Sequence, residues 1–174
     1  DEIGTYNGKK YALPMSIIPY GVYVRDDLMK EAGITKDPTT WDEFLVAAEK
    51  MNSSAASGFM FWGSAAQPAA VDYLQPMVES FGGKLLDNNG KAVFDSPEAM
   101  KAFYLIKSMV FEYKVVPSNV ASLKYDETSD MFTAGRAAMY WDGSHRASKY
   151  LEGIGEEYLR LMPLPSETGE VPGP

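Results

Sequence analysis

Apolar residues in this chain recur in two rhythms, and the alternation between them sets the expected elements. Residues 10–14 (Lys10-Tyr11-Ala12-Leu13-Pro14) and 20–24 (Tyr20-Gly21-Val22-Tyr23-Val24) are short, aromatic and β-branched, with a proline-containing stretch between them. They predict two strands. A short helix is expected from Asp26 to Ala32, stopped by Gly33, because glycine accepts the left-handed conformation that ends helices. Thr40 then precedes Trp41-Asp42-Glu43-Phe44, with Glu43 three residues on, which predicts a reciprocal capping box. Trp41, Phe44, Leu45 and Ala48 fall at helical spacing and carry that helix to about Met51.

Residues 58–61 (Gly58-Phe59-Met60-Phe61) read as a short core strand. Val71, Leu74, Met77, Val78 and Phe81 return to the helical period, and Gly82-Gly83 closes that element. Asp87-Asn88-Asn89-Gly90 is expected as a turn joining two short β segments, Leu85-Leu86 and Ala92-Val93-Phe94. Ser96 caps a helix with Pro97 at its first position and Ala99, Phe103, Ile106 and Val110 as its stripe, ending near Tyr113. Beyond it come a helix at 126–134, a strand at 137–141, a helix at 143–151 and a strand at 160–165. Helices alternating with short strands predict an α/β fold, a mixed sheet flanked by helices.

Composition narrows this picture. With 174 residues and 45% hydrophobic content, one domain spanning 1–174 with a real core is expected. No apolar run approaches the roughly 20 residues that a bilayer-spanning helix needs. A net charge of −8 with scattered basic residues argues against a nucleic-acid partner. The absence of cysteine removes disulfides, thiolate nucleophiles and zinc–thiolate centres. The chain opens on Asp1-Glu2-Ile3-Gly4 and stops at Val171-Pro172-Gly173-Pro174, and we expect it to be a piece of a larger protein.

Catalytic motifs are missing from the sequence. There is a single histidine, His145, and no serine elbow, paired-histidine metal motif or glycine-rich phosphate cradle. No cofactor or metal is expected. The acid pairs Asp26-Asp27, Asp42-Glu43 and Glu156-Glu157 read as helix surface and caps, since adjacent residues do not face one another on a helix.

Aromatic residues, 13% of the chain, supply the better signal, because several sit where strands meet loops. Trp62 follows the strand at 58–61, and Trp141 precedes Asp142-Gly143-Ser144-His145-Arg146. In open α/β sheets ligands bind beyond the carboxyl ends of strands. A sugar ring needs flat apolar platforms and polar groups for its hydroxyls, and Trp62, Gln67, Tyr73, Trp141, Asp142, Gly143, His145 and Arg146 contain that mixture. Each also fits ordinary core packing or a solvated surface, so the residue types alone leave the function undecided.

Five segments, in order, resemble family 1 extracellular solute-binding proteins, the maltose- and sugar-binding receptors of ABC importers. They are Tyr6-Asn7-Gly8-Lys9-Lys10-Tyr11-Ala12-Leu13-Pro14; Gly21-Val22-Tyr23-Val24-Arg25-Asp26-Asp27-Leu28; Pro38-Thr39-Thr40-Trp41-Asp42-Glu43-Phe44; Phe81-Gly82-Gly83; and Phe132-Thr133-Ala134-Gly135-Arg136-Ala137-Ala138-Met139 leading to Asp142-Gly143. The resemblance implies a periplasmic-binding-protein-like type II fold of two hinged lobes, of which this chain would be the C-terminal one. It implies ligand roles for Trp62, Gln67, Tyr73, Trp141, Asp142 and His145. It further implies a sugar or other small polar solute, permease subunits and the N-terminal lobe as partners, a monomeric receptor, and a periplasmic or extracellular location, with a lipid anchor as one form. The family often carries tryptophan where His145 stands, which favours a smaller or more polar solute than a long maltodextrin. Val24-Arg25 replaces a Tyr-Asn pair common in the family, a change we read as structural. The competing expectations are a carbohydrate-active enzyme domain, with Asp72 and Asp142 as its carboxylates, and a purely structural interaction module.

Overall fold

A computed structural model of the chain describes residues 3–64 and 70–170. A four-stranded sheet forms the centre, built from β3 (Tyr20–Arg25), β4 (Ser57–Met60), β5 (Ala137–Gly143) and β6 (Leu159–Met162). Its order is β4-β5-β3-β6, with β4 parallel to β5 and the other two pairings antiparallel. Every residue of β5 is buried, as expected of a strand covered on both faces. A separate hairpin, β1 (Thr5–Tyr6) with β2 (Lys9–Lys10), precedes the sheet.

The helices are α1 (Asp26–Glu31), α2 (Trp41–Met51), α3 (Ala70–Ser80), α4 (Pro97–Phe111), α5 (Tyr125–Thr133) and α6 (Ala147–Ile154). The Thr40 capping box is present: its hydroxyl accepts from the Glu43 amide at 3.3 Å, and the Glu43 carboxylate accepts from the amides of Thr39 and Thr40. These bonds hold the Glu43 carboxyl below its ordinary pKa, with the Thr39 amide the leading cause. Trp41, Phe44, Leu45, Ala48 and Met51 bury the predicted face of α2. Gly58 is required where β4 meets that helix, because a Cβ there would lie 2.1 Å from the carbonyl oxygen of Ala48. Ser96 caps α4 through the Ala99 amide at 3.2 Å. The Asp87–Gly90 turn is closed by Asp87, whose carboxylate accepts from the amides of Asn89 and Lys91, but the β segments expected on either side reduce to the single bridge Leu86–Ala92.

Four other expectations shift. The strand expected at 10–14 is absent beyond Lys10, and residues 11–19 run exposed without regular structure. Their hairpin instead turns at Asn7 and Gly8, both at positive φ, as a two-residue Asn-Gly loop demands. The helix expected from 143 begins later, because β5 continues to Gly143 and a 3-10 turn (Ser144–Arg146) intervenes. The last strand stops at Met162, before Pro163 and Pro165, which have no amide to donate. Finally, α3 carries Pro76 in its interior, a residue the hydrophobic period does not register. The side chain of Val71 lies outside those described.

Arg25, at the end of β3, grips Asp27 with two hydrogen bonds, in keeping with a structural role for the Val24-Arg25 pair. Arg160 on β6 pairs with both Asp26 and Asp37 and so ties the edge strand to α1 and the loop after it. The acid pair Asp26-Asp27 is thereby spent on salt bridges.

Candidate functional site

Because β4 and β5 are parallel, their carboxyl ends open on the same edge, and β3, antiparallel to β5, starts there. The register sets Tyr20 opposite Gly143 and Val22 opposite Trp141. Trp62, Tyr20, the end of β5 and the Ser144–Arg146 turn therefore gather at one end of the sheet. The first residue of α5, Tyr125, joins them.

Trp62 and Trp141 are not open platforms. They are 3% and 4% exposed, which corrects the expectation that their faces line a crevice directly. Tyr125 lies edge-on to Trp62 at 4.9 Å and Tyr73 at 6.4 Å, while Tyr20 stacks on Trp141 at 5.9 Å. The indole N–H of Trp141 donates to the backbone carbonyl of Asp72 at 2.9 Å, fastening α3 to β5. A large ring with one polar atom is cheaply buried when that atom finds a partner. The half-buried Tyr20 and Tyr125 and the exposed His145 supply the outer surface instead.

Alternation along β5 divides the predicted residues further. Trp141 and Gly143 point to one face, Tyr140 and Asp142 to the other. Asp142 is completely buried; its Oδ1 accepts from the Gly143 amide at 2.7 Å and the Tyr125 hydroxyl at 3.0 Å, and its Oδ2 from the Tyr150 hydroxyl. Burial raises its pKa above the ordinary carboxylate value, opposed by those three donors and by the nearby imidazole. Tyr150 is linked in turn to Ser129 at 3.0 Å, and Ser129 accepts from Lys149 at 2.8 Å.

His145 reaches back to Tyr125, Nε2 to hydroxyl, at 2.7 Å, with the two rings stacked at 6.0 Å. Arg146 donates through Nε to the same hydroxyl at 3.1 Å, holds its guanidinium 4.7 Å from the Tyr125 ring centroid, and pairs with Asp126 at 2.6 Å. Burial works against the Arg146 charge, but the bonds to Tyr125 and Asp126 outweigh it and raise the pKa. Gly143 makes this fold-back fit: a Cβ there would sit 2.7 Å from Nδ1 of His145 and 2.9 Å from Ile18. Gln67 lies outside the described residues.

Tyr20 and Tyr125 join this candidate site without being singled out by the sequence pattern. The signal for Tyr20 is pairing across the sheet, which local pattern does not carry. Tyr125 is hidden by its place at the start of a helix. The charges of this cluster are matched internally: Arg146 by Asp126, and Asp142 by hydroxyl and amide donors. What remains on the surface is aromatic and hydrogen-bonding, a chemistry suited to neutral polyhydroxylated molecules. A groove of about 570 Å³ lies elsewhere, between residues 34–39 and the outer side of α2, and includes none of these residues. Among the described residues no cluster of acids and histidine could hold a metal ion, and no helix is long and apolar enough to cross a membrane.

Comparison with known proteins places this arrangement. The chain is similar over 94% of its length to a solute-binding protein of an ABC transporter from Thermotoga lettingae bound with α-D-tagatose, at 25% identity and a TM-score of 0.82, covering 43% of that chain. It is similar over 97% of its length to the maltose-bound MalE3 of T. maritima, at 28% identity and a TM-score of 0.86, covering 44% of it. An ABC transporter-binding protein of Deinococcus radiodurans is 26% identical over 140 residues, 77% of this chain and 33% of its own length. The chain thus spans less than half of its structural neighbours, which are type II periplasmic binding proteins, and about a third of that relative. The family model for bacterial extracellular solute-binding proteins matches residues 1–172, and the chain belongs to that family.

Proposed function

We propose that this chain is one lobe of a longer receptor that captures a sugar or polyol between two lobes and delivers it to the permease of an ABC importer. One observation carries the reading: Tyr20, Tyr125, His145 and Arg146 converge at one end of the sheet, beside an apolar strap that packs on little else. In that strap Leu13, Met15 and Ile17 are 75%, 97% and 89% exposed. Isolated side chains of this kind are common on surfaces, but a run of them marks an interface. The strap leads directly into Tyr20, so a second lobe seated on it would face the aromatic cluster. We assign the N-terminal lobe of the same protein to that position.

Trp62 and Trp141 support the crevice wall from behind, Tyr73 buttresses Trp62, and Gly143, His145 and Arg146 shape its surface. Asp142 acts from within, holding Tyr125. Its carboxylate is fully buried and spent on three donors, which argues against a glycosidase role paired with Asp72. Internal charge pairing favours a neutral solute, as do the maltose and tagatose bound by the neighbours. The lobes would close because the bound solute contacts both, and the shift equals its difference in affinity for the closed and open forms. The receptor would act as a monomer outside the cytoplasmic membrane, free or lipid-anchored.

Thermal-shift titration of the complete receptor with mono-, di- and oligosaccharides and sugar alcohols tests this, since a ligand of the native state raises stability by mass action. At least one should raise the melting temperature in a concentration-dependent way, and the isolated lobe should bind the same compound far more weakly. Failure of the whole panel, or equal affinity of lobe and receptor, would overturn the proposal.

A further inference from the structure

We infer that Asp72 is a specificity-determining residue of the proposed crevice, its carboxylate accepting hydrogen bonds from two neighbouring hydroxyls of the solute and turning sugar acids away. Asp72 stands in the first turn of α3, and its side chain is exposed. Its backbone carbonyl takes the indole N–H of Trp141 at 2.9 Å, and Tyr20 stacks on that indole at 5.9 Å. The start of α3 is thereby pinned to the end of the sheet where the rings of Tyr20 and His145 lie 6.4 Å apart. Burial, and after it the charges of Asp72 and Asp142, raise the pKa of the Tyr20 hydroxyl, so the Asp72 carboxylate lies within electrostatic reach of that group.

The neighbouring acids are committed elsewhere. Asp142 is fully buried among its donors, and Asp126 is held by Arg146 at 2.6 Å. None of the salt bridges among the described residues uses Asp72. An ionised carboxylate only accepts, through two oxygens with about four lone-pair sites, and its hydrogen bonds are stronger than those between neutral groups. Two hydroxyls on adjacent carbons can donate to such a pair of oxygens together, which a single carbonyl oxygen does not allow. An acidic solute would instead bring like charge against Asp72, a penalty that falls on the wrong solute alone. This deepens the function proposed above and rests on it: among sugars and polyols, the site selects neutral ones with a free pair of adjacent hydroxyls.

Titration calorimetry on the complete receptor tests it, with maltose, D-tagatose, D-mannitol and ribitol as neutral probes and D-gluconate as the acid. For the neutral probe that binds most tightly, Asp72→Ala should weaken binding about 10- to 100-fold, the loss expected when a hydrogen-bonding charge is removed. Monodeoxy forms of that probe should include two adjacent positions whose loss weakens binding to wild type but not to Asp72→Ala. D-Gluconate should not bind the wild type. Because Asp72 is exposed, Asp72→Ala and the isosteric Asp72→Asn should melt as wild type does without solute. Asp72→Asn should weaken binding too, since an amide presents one acceptor oxygen in place of two. Unchanged affinity in both variants, deoxy losses that persist in Asp72→Ala at every position, or tight binding of D-gluconate would overturn the inference and leave the receptor reading in place. Binding of no sugar or sugar alcohol in the wider panel, these four included, would overturn the proposed function and this inference with it.

Discussion

The hydroxyl of Tyr150 on α6 donates to the carboxylate of Asp142 on β5, and both side chains are completely buried. The bond joins the helix after the site to the strand before it, and the Ser144–Arg146 turn is held between these two anchors. Tyr150→Phe removes one of three donors to a buried carboxylate and should cost about 1.5–3 kcal/mol. At roughly 2–4 °C per kcal/mol for a chain of this size, calorimetry will resolve it. A change within error would show that the carboxylate finds another donor.

Acid behaviour depends on opposing carboxyls. Burial raises the pKa of Asp142, so between the unfolded value and the native one the folded chain keeps a proton that the unfolded chain releases. That contribution is full at low pH and is lost as pH rises through the native pKa. Asp26 and Asp27 act in the reverse sense: hydrogen bonds from Lys30 and from Arg25 respectively lower their pKa values, so their stabilisation is lost as pH falls. Asp142→Asn removes the first effect alone. Melting temperatures of wild type relative to this variant should improve on acidification, and parallel curves would contradict the assignment.

All three tryptophans, Trp41, Trp62 and Trp141, are buried. Native fluorescence should be blue-shifted and resist quenching by iodide, then shift to the red and become quenchable on unfolding. Strong native quenching that disappears in Trp62→Phe would mean that the Tyr125 cover opens in solution.

Thr40→Ala removes the side-chain half of the α2 cap while leaving Glu43 in place. The expected loss is about 1 kcal/mol, near the middle of the range for such caps. A drop of roughly 2–4 °C in melting temperature would match it; no drop would mean that the bond from Trp41 to the Ser166 carbonyl at 3.2 Å holds the helix start unaided.

Most elements were legible because they rest on local rules. The Thr40 box, Ser96 with Pro97, and the stripe of α2 each specify their structure within a few residues. The strap at 11–19 was not, because Tyr11, Leu13 and Ile17 carry strand-like character, yet no strand of the central sheet pairs with them. The site was half legible. The end of β5 announced itself through Trp141-Asp142-Gly143, yet Asp142 and Gly143 look like loop residues, which masks the period-two alternation that sends Trp141 and Asp142 to opposite faces. Tyr20 and Tyr125 enter only through long-range pairing, which no window of sequence contains.

That pairing also governs how the chain is made. The central strand β3 bonds to β5 and β6, both far along the chain, and Tyr23 donates its hydroxyl to the carbonyl of Gly143, 120 positions later. A strand with no near neighbour to pair with must wait, solvated and adhesive, until the ribosome has delivered those distant partners. Slow acquisition of native structure and a need for protection during synthesis follow from this strand order.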